Sequence, residues 1–230
     1  MKTRRSLMMK ISTPTCVKRA GFTLVELLTV IAIVGILAGI LIVTVSKVRQ
    51  SSYRAEGVSN LRQVGVAIQL YANEHNNFLP GPLWGGQGPS YELSNQRTLG
   101  YHLWPYFGIP EPQAQSQEAA VLASKAYKAA RKDASAMSFF LNKLVNIDGT
   151  IRDPWGYQID TNASPLSQPM KVNVVAASAP RNTWAMKDVD QTMPEVAPAG
   201  WKSSLPEKPV YAPYRLYLYF DWHVEALRIE

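Results

Sequence analysis

The first strong hydrophobic pattern in the chain is an uncharged run over residues 27–46. Between Leu27 and Val43 the only polar side chain is Thr29. About 20 apolar residues at a rise of 1.5 Å each suffice to cross a bilayer. A helix that is apolar on every face is more typical of a membrane span than of a soluble core helix. The pattern therefore predicts a membrane-spanning helix over residues 22–46.

After this run the pattern becomes amphipathic. Apolar side chains recur at spacings of three and four residues, as expected for one face of a helix, at Val58, Leu61, Val64, Ile68 and Tyr71. No proline lies between Pro14 and Pro80, so one helix is predicted from about residue 22 to about residue 75, with residues 47–76 as its amphipathic continuation. Candidate points of local stretching are the glycines Gly35, Gly39, Gly57 and Gly65.

Residues 77–230 have a different composition, which indicates a globular head. Fifteen of the 16 prolines lie between positions 80 and 213, which favours short elements joined by long loops. The residue patterns predict helices at 99–107, interrupted by Pro105, and at 115–133, and strands at 170–177 and 215–227. The predicted fold class is α+β, in which the long N-terminal helix packs on a small antiparallel sheet.

The net charge of +7 is concentrated at the N-terminus. Residues 1–21 hold six cations and no anion, which leaves 18 of the 24 cations against all 17 anions in the rest of the chain. A nucleic-acid partner is not expected, because the body lacks the excess of basic residues that such binding needs. A single cysteine, Cys16, excludes a disulfide scaffold.

The basic segment also predicts orientation. Positive residues beside a span stay on the cytoplasmic side, so the N-terminus is expected inside and the head outside. Lys47, Arg49 and Arg54 follow the span and weaken this asymmetry without reversing it. An ordinary secretory signal has a shorter apolar region and a small-residue cleavage site after it, and neither is found here.

The sequence at the start of the span carries a specific resemblance. Residues 21–28 read GFTLVELL, and they are followed by TVIAIVGILAGILI. This segment resembles the class III signal of type IV pilins and type II secretion pseudopilins. The resemblance implies that residues 1–21 are a leader, that a prepilin peptidase cleaves between Gly21 and Phe22, and that the new amine of Phe22 is methylated.

Glu26 is the one charged residue on the apolar side of this cleavage position. A charge deep in a membrane helix costs roughly 2.5–3.5 kcal/mol, less near the interface. Phe22 and Glu26 are four residues apart and so share a helix face. Glu26 is predicted to pair with the freed Phe22 amine of a neighbouring subunit and so to set assembly register. The alternative is that Glu26 only snorkels to the cytoplasmic interface.

Further partners and the location follow from the resemblance alone. It implies assembly with copies of itself and other pilin-like subunits, an inner-membrane assembly platform and contact with membrane lipid. It places the protein in the inner membrane with a single span and a periplasmic head. The family is structural, so no enzymatic activity is expected.

The head contains three weaker resemblances. Residues 153–156 read DPWG, similar to a turn of major pseudopilins, and its simplest interpretation is a turn with a packing tryptophan. The segments YANEHNNFLPG and FDWHV resemble a pilin-like group of planctomycete and verrucomicrobial bacteria, except that Trp222 stands where that group has glycine. Asp188 and Asp190 fit an acidic position of the same group.

These acidic residues are also weak metal candidates. Asp221 and His223 are two residues apart and share one face of a strand, and Asp188 or Asp190 would be the further ligand in such a set. Major pseudopilins bind calcium in a carboxylate-rich C-terminal loop, but this sequence has no dense acidic loop, so no cofactor is expected and calcium is a minor alternative. His75 and His102 are expected to serve as surface or packing residues.

The leading hypothesis is a structural subunit of a type II secretion pseudopilus. A minor type IV pilin for adhesion or DNA uptake is the closest alternative, and the DPWG turn favours the pseudopilin. Two other classes stay open: a membrane-tethered enzyme that uses Asp221 and His223, and a single-span binding protein that never assembles.

Overall fold

The computed structural model of the protein describes residues 21–134, 136–156, 168–178, 182–197 and 199–229. The predicted leader therefore lies outside the described residues, except for Gly21. The chain divides into two compact units, Met1–Ser46 and Lys47–Glu230, which are described separately.

One helix, α1, spans Leu24–Glu74, as the amphipathic and apolar patterns predict. In the first unit, every described side chain of residues 24–46 is exposed, which is consistent with the absence of a polar face. Helix α1 runs unbroken through all four of its glycines, so none of them marks a stretched segment. Just after Glu74, Asn76 and Asn77 adopt positive φ angles of 52° and 68°. Asparagine tolerates this left-handed conformation, which ends helices.

The rest of the second unit contains nine strands and three short α-helices among the described residues. The strands are β1 (Gly86–Gln87), β2 (Ser90–Tyr91), β3 (Gln117–Glu118), β4 (Phe139–Leu141), β5 (Val145–Ile147), β6 (Thr150–Arg152), β7 (Trp184–Asp188), β8 (Tyr214–Tyr219) and β9 (Val224–Arg228). The helices are α2 (Leu99–Phe107), α3 (Lys125–Ala130) and α4 (Val172–Ser178). Short 3-10 helices occupy Ala120–Leu122, Pro194–Val196 and Lys202–Ser204.

The strands form one five-stranded antiparallel sheet in the order β1-β4-β7-β8-β9, with β2–β3 and β5–β6 as separate two-stranded ribbons. The amphipathic face of α1 is buried in the same core as the sheet. Leu61, Val64 and Ile68 are fully buried with Leu216 and Leu218 of β8. The α+β prediction, a long helix on a small antiparallel sheet, is confirmed.

Two glycines of α1 allow the helix backbone to approach the sheet closely. A Cβ atom on Gly57 would lie 2.6 Å from the Tyr211 ring and 2.7 Å from Leu216. A Cβ on Gly65 would lie 3.2 Å from Leu218. All three distances are shorter than ordinary carbon–carbon contacts of about 3.5–4.0 Å. These glycines therefore serve packing.

Two of the predicted elements in the head are wrong. The predicted helix over residues 115–133 is β3, a 3-10 helix and the six-residue α3, which begins at its N-cap Ser124. The predicted strand over residues 170–177 is the helix α4, which has Val175 as its one buried residue. In both segments packing on the core overrides local propensity: alanine and lysine favoured helix in the first, and valine favoured strand in the second.

The predicted strand over residues 215–227 is a hairpin of two strands. The β8–β9 turn is closed by Trp222 N–H donating to the Tyr219 carbonyl at 2.9 Å and Tyr219 N–H donating to the His223 carbonyl at 3.0 Å. Trp222 adopts a φ of 69°, which costs a non-glycine residue roughly 1–2 kcal/mol. The turn is thus tight although tryptophan occupies the left-handed position. The Trp222 side chain packs against the core near Gly65.

Candidate processing and assembly site

The residues around the predicted cleavage position are extended and accessible. Gly21, Phe22 and Thr23 precede the first residue of α1 and form no regular secondary structure. No atom of the described residues lies within 4 Å of a Cβ built on Gly21, and the Phe22 side chain is 75% exposed. Exposed segments with few backbone contacts are the preferred substrates of proteases. The peptide bond between Gly21 and Phe22 is therefore open to an enzyme.

Glu26 forms a capping box with Thr23. The Thr23 backbone N–H and hydroxyl donate to Glu26 Oε2 at 2.9 and 2.8 Å, and the Glu26 backbone N–H donates to Thr23 Oγ1 at 3.2 Å. These bonds satisfy backbone groups that the first turn of α1 would otherwise leave unpaired. The prediction placed Glu26 at this end of the helix but missed Thr23. The threonine-x-x-glutamate spacing is the signal that could have identified it.

The capping box occupies only one side of the Glu26 carboxylate. Both Thr23 groups donate to Oε2, and no hydrogen bond to Oε1 occurs among the described residues. The side chain is exposed and turned toward the residues that precede the helix. A carboxylate has about four lone-pair sites, so Oε1 keeps its capacity to accept from a further cation.

Helix α1 also has the length and composition of a membrane span. Among the described residues it is the single helix that is long and apolar enough to cross a bilayer, and its most apolar window buries no residue within the protein. A fully exposed apolar segment of this length is unstable in water. It therefore needs a membrane, other helices or both.

The four candidate metal ligands form two pairs, of which Asp221 and His223 are exposed and Asp188 and Asp190 are buried. Asp221 and His223 lie in the exposed β8–β9 turn, where Asp221 Oδ1 contacts His223 Nδ1 at 2.5 Å and accepts the His223 backbone N–H at 3.2 Å. The His223 ring stacks on Tyr219. Within the described residues, no group of three or more histidine, cysteine, aspartate or glutamate side chains could hold a metal ion. The contact between Asp221 and His223 is explained by the turn itself.

The other two candidates are buried, Asp188 at the end of β7 and Asp190 two residues after it. Asp190 forms an ion pair with Arg215 and also accepts the Thr192 hydroxyl. Asp188 Oδ2 accepts the Leu216 backbone N–H at 3.0 Å, which fixes its carboxyl beside β8. Burial raises the pKa of Asp188 to about 8, although the Leu216 N–H and the Arg215 charge oppose the rise. Asp188 is therefore a neutral hydrogen-bonded acid at pH 7.

This protonation predicts a pH-dependent stability. The folded protein holds the Asp188 proton up to about pH 8, whereas the unfolded chain releases it near 3.8, so its contribution to stability is lost as the pH rises between these values. Asp188→Asn keeps an oxygen acceptor for the Leu216 N–H. We expect its free energy of unfolding, relative to that of the wild type, to increase as the pH rises from 4.5 to 8. Each pKa unit corresponds to about 1.4 kcal/mol, and a gain of at least that size is expected.

The measurement is urea unfolding of both proteins at several pH values. Asp148→Asn is the matched control, because Asp148 is exposed in the β5–β6 turn and its positive φ of 51° suits asparagine. A difference between Asp188→Asn and the wild type that does not change with pH would show that Asp188 is ionised in the fold.

The two remaining histidines belong to an aromatic cluster at the end of α1. His75 stacks on Tyr71 with ring centroids 3.8 Å apart, and His102 lies edge-on to the same tyrosine. The Tyr106 hydroxyl donates to Glu74. Burial lowers the pKa of His102 to about 4, so this ring is neutral at pH 7. His75 is an exposed residue that stacks on Tyr71, and His102 is partly buried against the same ring.

The DPWG segment forms a turn with a buried tryptophan. Asp153 Oδ1 accepts the Trp155 backbone N–H at 2.9 Å, and Asp153 Oδ2 lies 3.0 Å from Lys143 Nζ. Gly156 follows with a φ of 73°, a conformation that suits glycine. The Trp155 side chain is completely buried and its ring stacks near Phe220. The interpretation as a packing turn agrees with this geometry.

Comparison with known proteins identifies the N-terminal segment. Residues 16–42 match the model of the family described as the prokaryotic N-terminal methylation motif. Curated proteins and solved structures give no match to the chain. The matched segment contains Gly21, Phe22, Thr23 and Glu26 and the first part of α1. The chain thus carries the prepilin-type motif of type IV pilins and pseudopilins.

Proposed function

We propose that this chain is the precursor of a structural subunit of a type II secretion pseudopilus, cleaved between Gly21 and Phe22 by a prepilin peptidase. The observation that carries the proposal is the methylation motif over residues 16–42, which leads directly into an exposed apolar helix. The motif supports a pilin-like or pseudopilin precursor. Assembly into a type II secretion pseudopilus is the more specific part of the proposal.

The proposed sequence of events uses the geometry of the N-terminal segment. The apolar part of α1 inserts into the inner membrane with the basic segment on the cytoplasmic side and the head in the periplasm. Cleavage then converts Phe22 into the N-terminal residue and creates an ammonium group next to the start of the helix. The same peptidase transfers a methyl group from S-adenosylmethionine to this amine, and the span stays in the mature protein.

Assembly follows from the position of Glu26. Both Thr23 groups donate to its Oε2, so its Oε1 can accept the Phe22 amine of a neighbouring subunit. In an apolar environment the attraction between two such charges is several times larger than in water. Pairing also offsets part of the penalty of burying either charge alone. The pair therefore favours one axial register between subunits, with an inner-membrane platform supplying each new subunit.

The choice of pseudopilus over a minor type IV pilin is supported by the DPWG turn. This turn places Trp155 in the core and closes on Asp153, a construction that resembles the turn of major pseudopilins. The near balance of charge outside residues 1–21 favours secretion over capture of DNA.

The decisive experiment is N-terminal mass spectrometry of the native protein extracted from membranes. We expect a chain that lacks residues 1–21 and carries one added methyl group on Phe22. A native chain that begins at Met1 would contradict the proposal and favour a single-span binding protein. A Gly21→Leu variant should accumulate unprocessed, because a bulky side chain would obstruct the close approach of a protease that glycine permits.

A second candidate is an enzyme tethered to the membrane. The observation in its favour is the contact between His223 Nδ1 and Asp221 Oδ1, an arrangement that can orient a histidine base. An activity of the head that is lost in His223→Ala while assembly continues would support this candidate.

A further inference from the structure

A polar cleft lies in the second unit beside the first residues that follow the uncharged run. Its volume is about 250 Å³, smaller than the pockets of roughly 300–1,000 Å³ that hold drug-sized ligands. The cleft is formed by the start of the second unit's helical segment and by the loop that enters β8. Its polar lining includes Lys47, Gln50, Tyr53, Arg54, Tyr211 and Tyr214.

The charge of this cleft is positive and has no carboxylate to balance it. Lys47 and Arg54 both line it, and none of the lining residues is acidic. Among the described residues neither cation forms an ion pair. Glu56 lies nearby on the same helix, but its Oε1 already accepts the Lys125 backbone N–H at 3.2 Å. An anion in the cleft would therefore face two cations.

The Arg54 side chain is held in a position that suits anion binding. Its guanidinium carbon lies 4.5 Å from the centroid of the Tyr214 ring, and the side chain is half-buried. Stacking occupies the flat face of the guanidinium and leaves the N–H groups at its edge free to donate. Those N–H groups match the oxygens of a phosphate in a bidentate arrangement.

The position of the cleft along the chain favours a lipid headgroup as the source of a bound phosphate. Lys47 is the residue next to Ser46, where the uncharged run ends, and Arg54 is seven residues farther, about 10 Å along a helix. Lipid headgroups occupy this depth beside the hydrocarbon core. Tyrosine is enriched at the same level, where its ring meets acyl chains and its hydroxyl meets water.

We propose that this cleft binds the phosphate of an anionic phospholipid headgroup on the outer side of the membrane. Lys47 and Arg54 contact the phosphate, and the tyrosines line the sides of the cleft. The bound lipid neutralises the basic residues that otherwise oppose the predicted orientation. It also anchors the head at the membrane before the subunit leaves for a filament. The proposal goes beyond the assembly function and does not require Glu26.

The test uses the full-length protein in nanodiscs that contain equal amounts of phosphatidylglycerol and phosphatidylcholine. Native mass spectrometry measures which lipid the protein retains on release. We expect the wild type to retain phosphatidylglycerol over phosphatidylcholine at least tenfold more often. The double variant Lys47→Gln/Arg54→Gln is expected to lose this preference. Arg62→Gln, which removes an exposed cation from the same helix away from the cleft, is expected to keep it.

Three results would overturn the proposal. These are equal retention of the two lipids by the wild type, a preference that survives in the double variant, and displacement of phosphatidylglycerol by inorganic phosphate beyond that seen in chloride of equal ionic strength. The last result would identify a site for the free anion. The ratio of phosphatidylglycerol to phosphatidylcholine retained by the wild type tests the proposal even if the double variant does not fold. A cleaved and methylated chain with no lipid preference would leave the proposed function intact and remove this inference.

Discussion

Glu26→Ala is expected to abolish filament assembly and to leave cleavage between Gly21 and Phe22 intact. Without the carboxylate, each incoming subunit meets a buried ammonium group that has no partner. Breaking a buried ion pair by removing one member costs about 3–5 kcal/mol, which corresponds to a loss of at least about a hundredfold in affinity per contact. The measurement is electron microscopy of sheared filaments, with mass spectrometry of the membrane fraction to establish processing.

The control separates pairing between subunits from capping within one subunit. Thr23→Ala removes the hydroxyl that holds Glu26 Oε2 and leaves the carboxylate in place. Loss of an N-cap costs about 1 kcal/mol, so this variant is expected to assemble at a reduced level. If Thr23→Ala abolished filaments as completely as Glu26→Ala, the role of Glu26 would be capping. Normal filaments from Glu26→Ala would exclude the pairing.

Trp155→Ala is expected to have the largest effect on the stability of the head. The side chain is fully buried in the main core beside Phe220, so its truncation leaves a large cavity. Truncation of a buried tryptophan costs about 3–5 kcal/mol, a large fraction of the stability of a typical domain. Urea unfolding of the full-length protein in detergent, followed by circular dichroism, measures this loss.

Two substitutions serve as controls for that prediction. Trp155→Phe keeps most of the apolar volume and removes an indole N–H that has no acceptor among the described residues, so a loss well below that of Trp155→Ala is expected. Trp84 is half exposed and carries Arg97 over its ring, so Trp84→Ala is expected to cost about 1 kcal/mol or less. Equal losses from Trp155→Ala and Trp84→Ala would contradict the assigned role of Trp155.

The sequence predicted those parts of the fold that depend on long, regular patterns. Helix α1 follows from an uncharged run and a repeat of apolar residues. Helix α2 was predicted with its correct bounds, but it continues through Pro105 and is not interrupted there. The segment that forms α4 could not be predicted in the same way. Its valines favour a strand, and only the burial of Val175 against distant residues makes a helix the better solution.

The candidate site shows a similar division. Phe22 and Glu26 were identifiable because their spacing is local and belongs to a recognisable motif. The ion pair of Asp190 with Arg215 joins residues 25 positions apart, and the burial of Asp188 depends on the pairing of β7 with β8. No local pattern contains that information. The cleft could not be predicted from a local pattern either, because its two sides, residues 47–54 and 210–214, are far apart in the sequence.

The close approach at Gly57 and Gly65 has a consequence for chimeric proteins. At these two positions a Cβ atom would meet the side chains of Tyr211, Leu216 and Leu218 at 2.6–3.2 Å. A replacement helix with the same apolar repeat but with leucine at both sites would have to displace these side chains. Exchanging helices between related subunits should therefore succeed best when the donor has glycine at both positions, however well its apolar residues match.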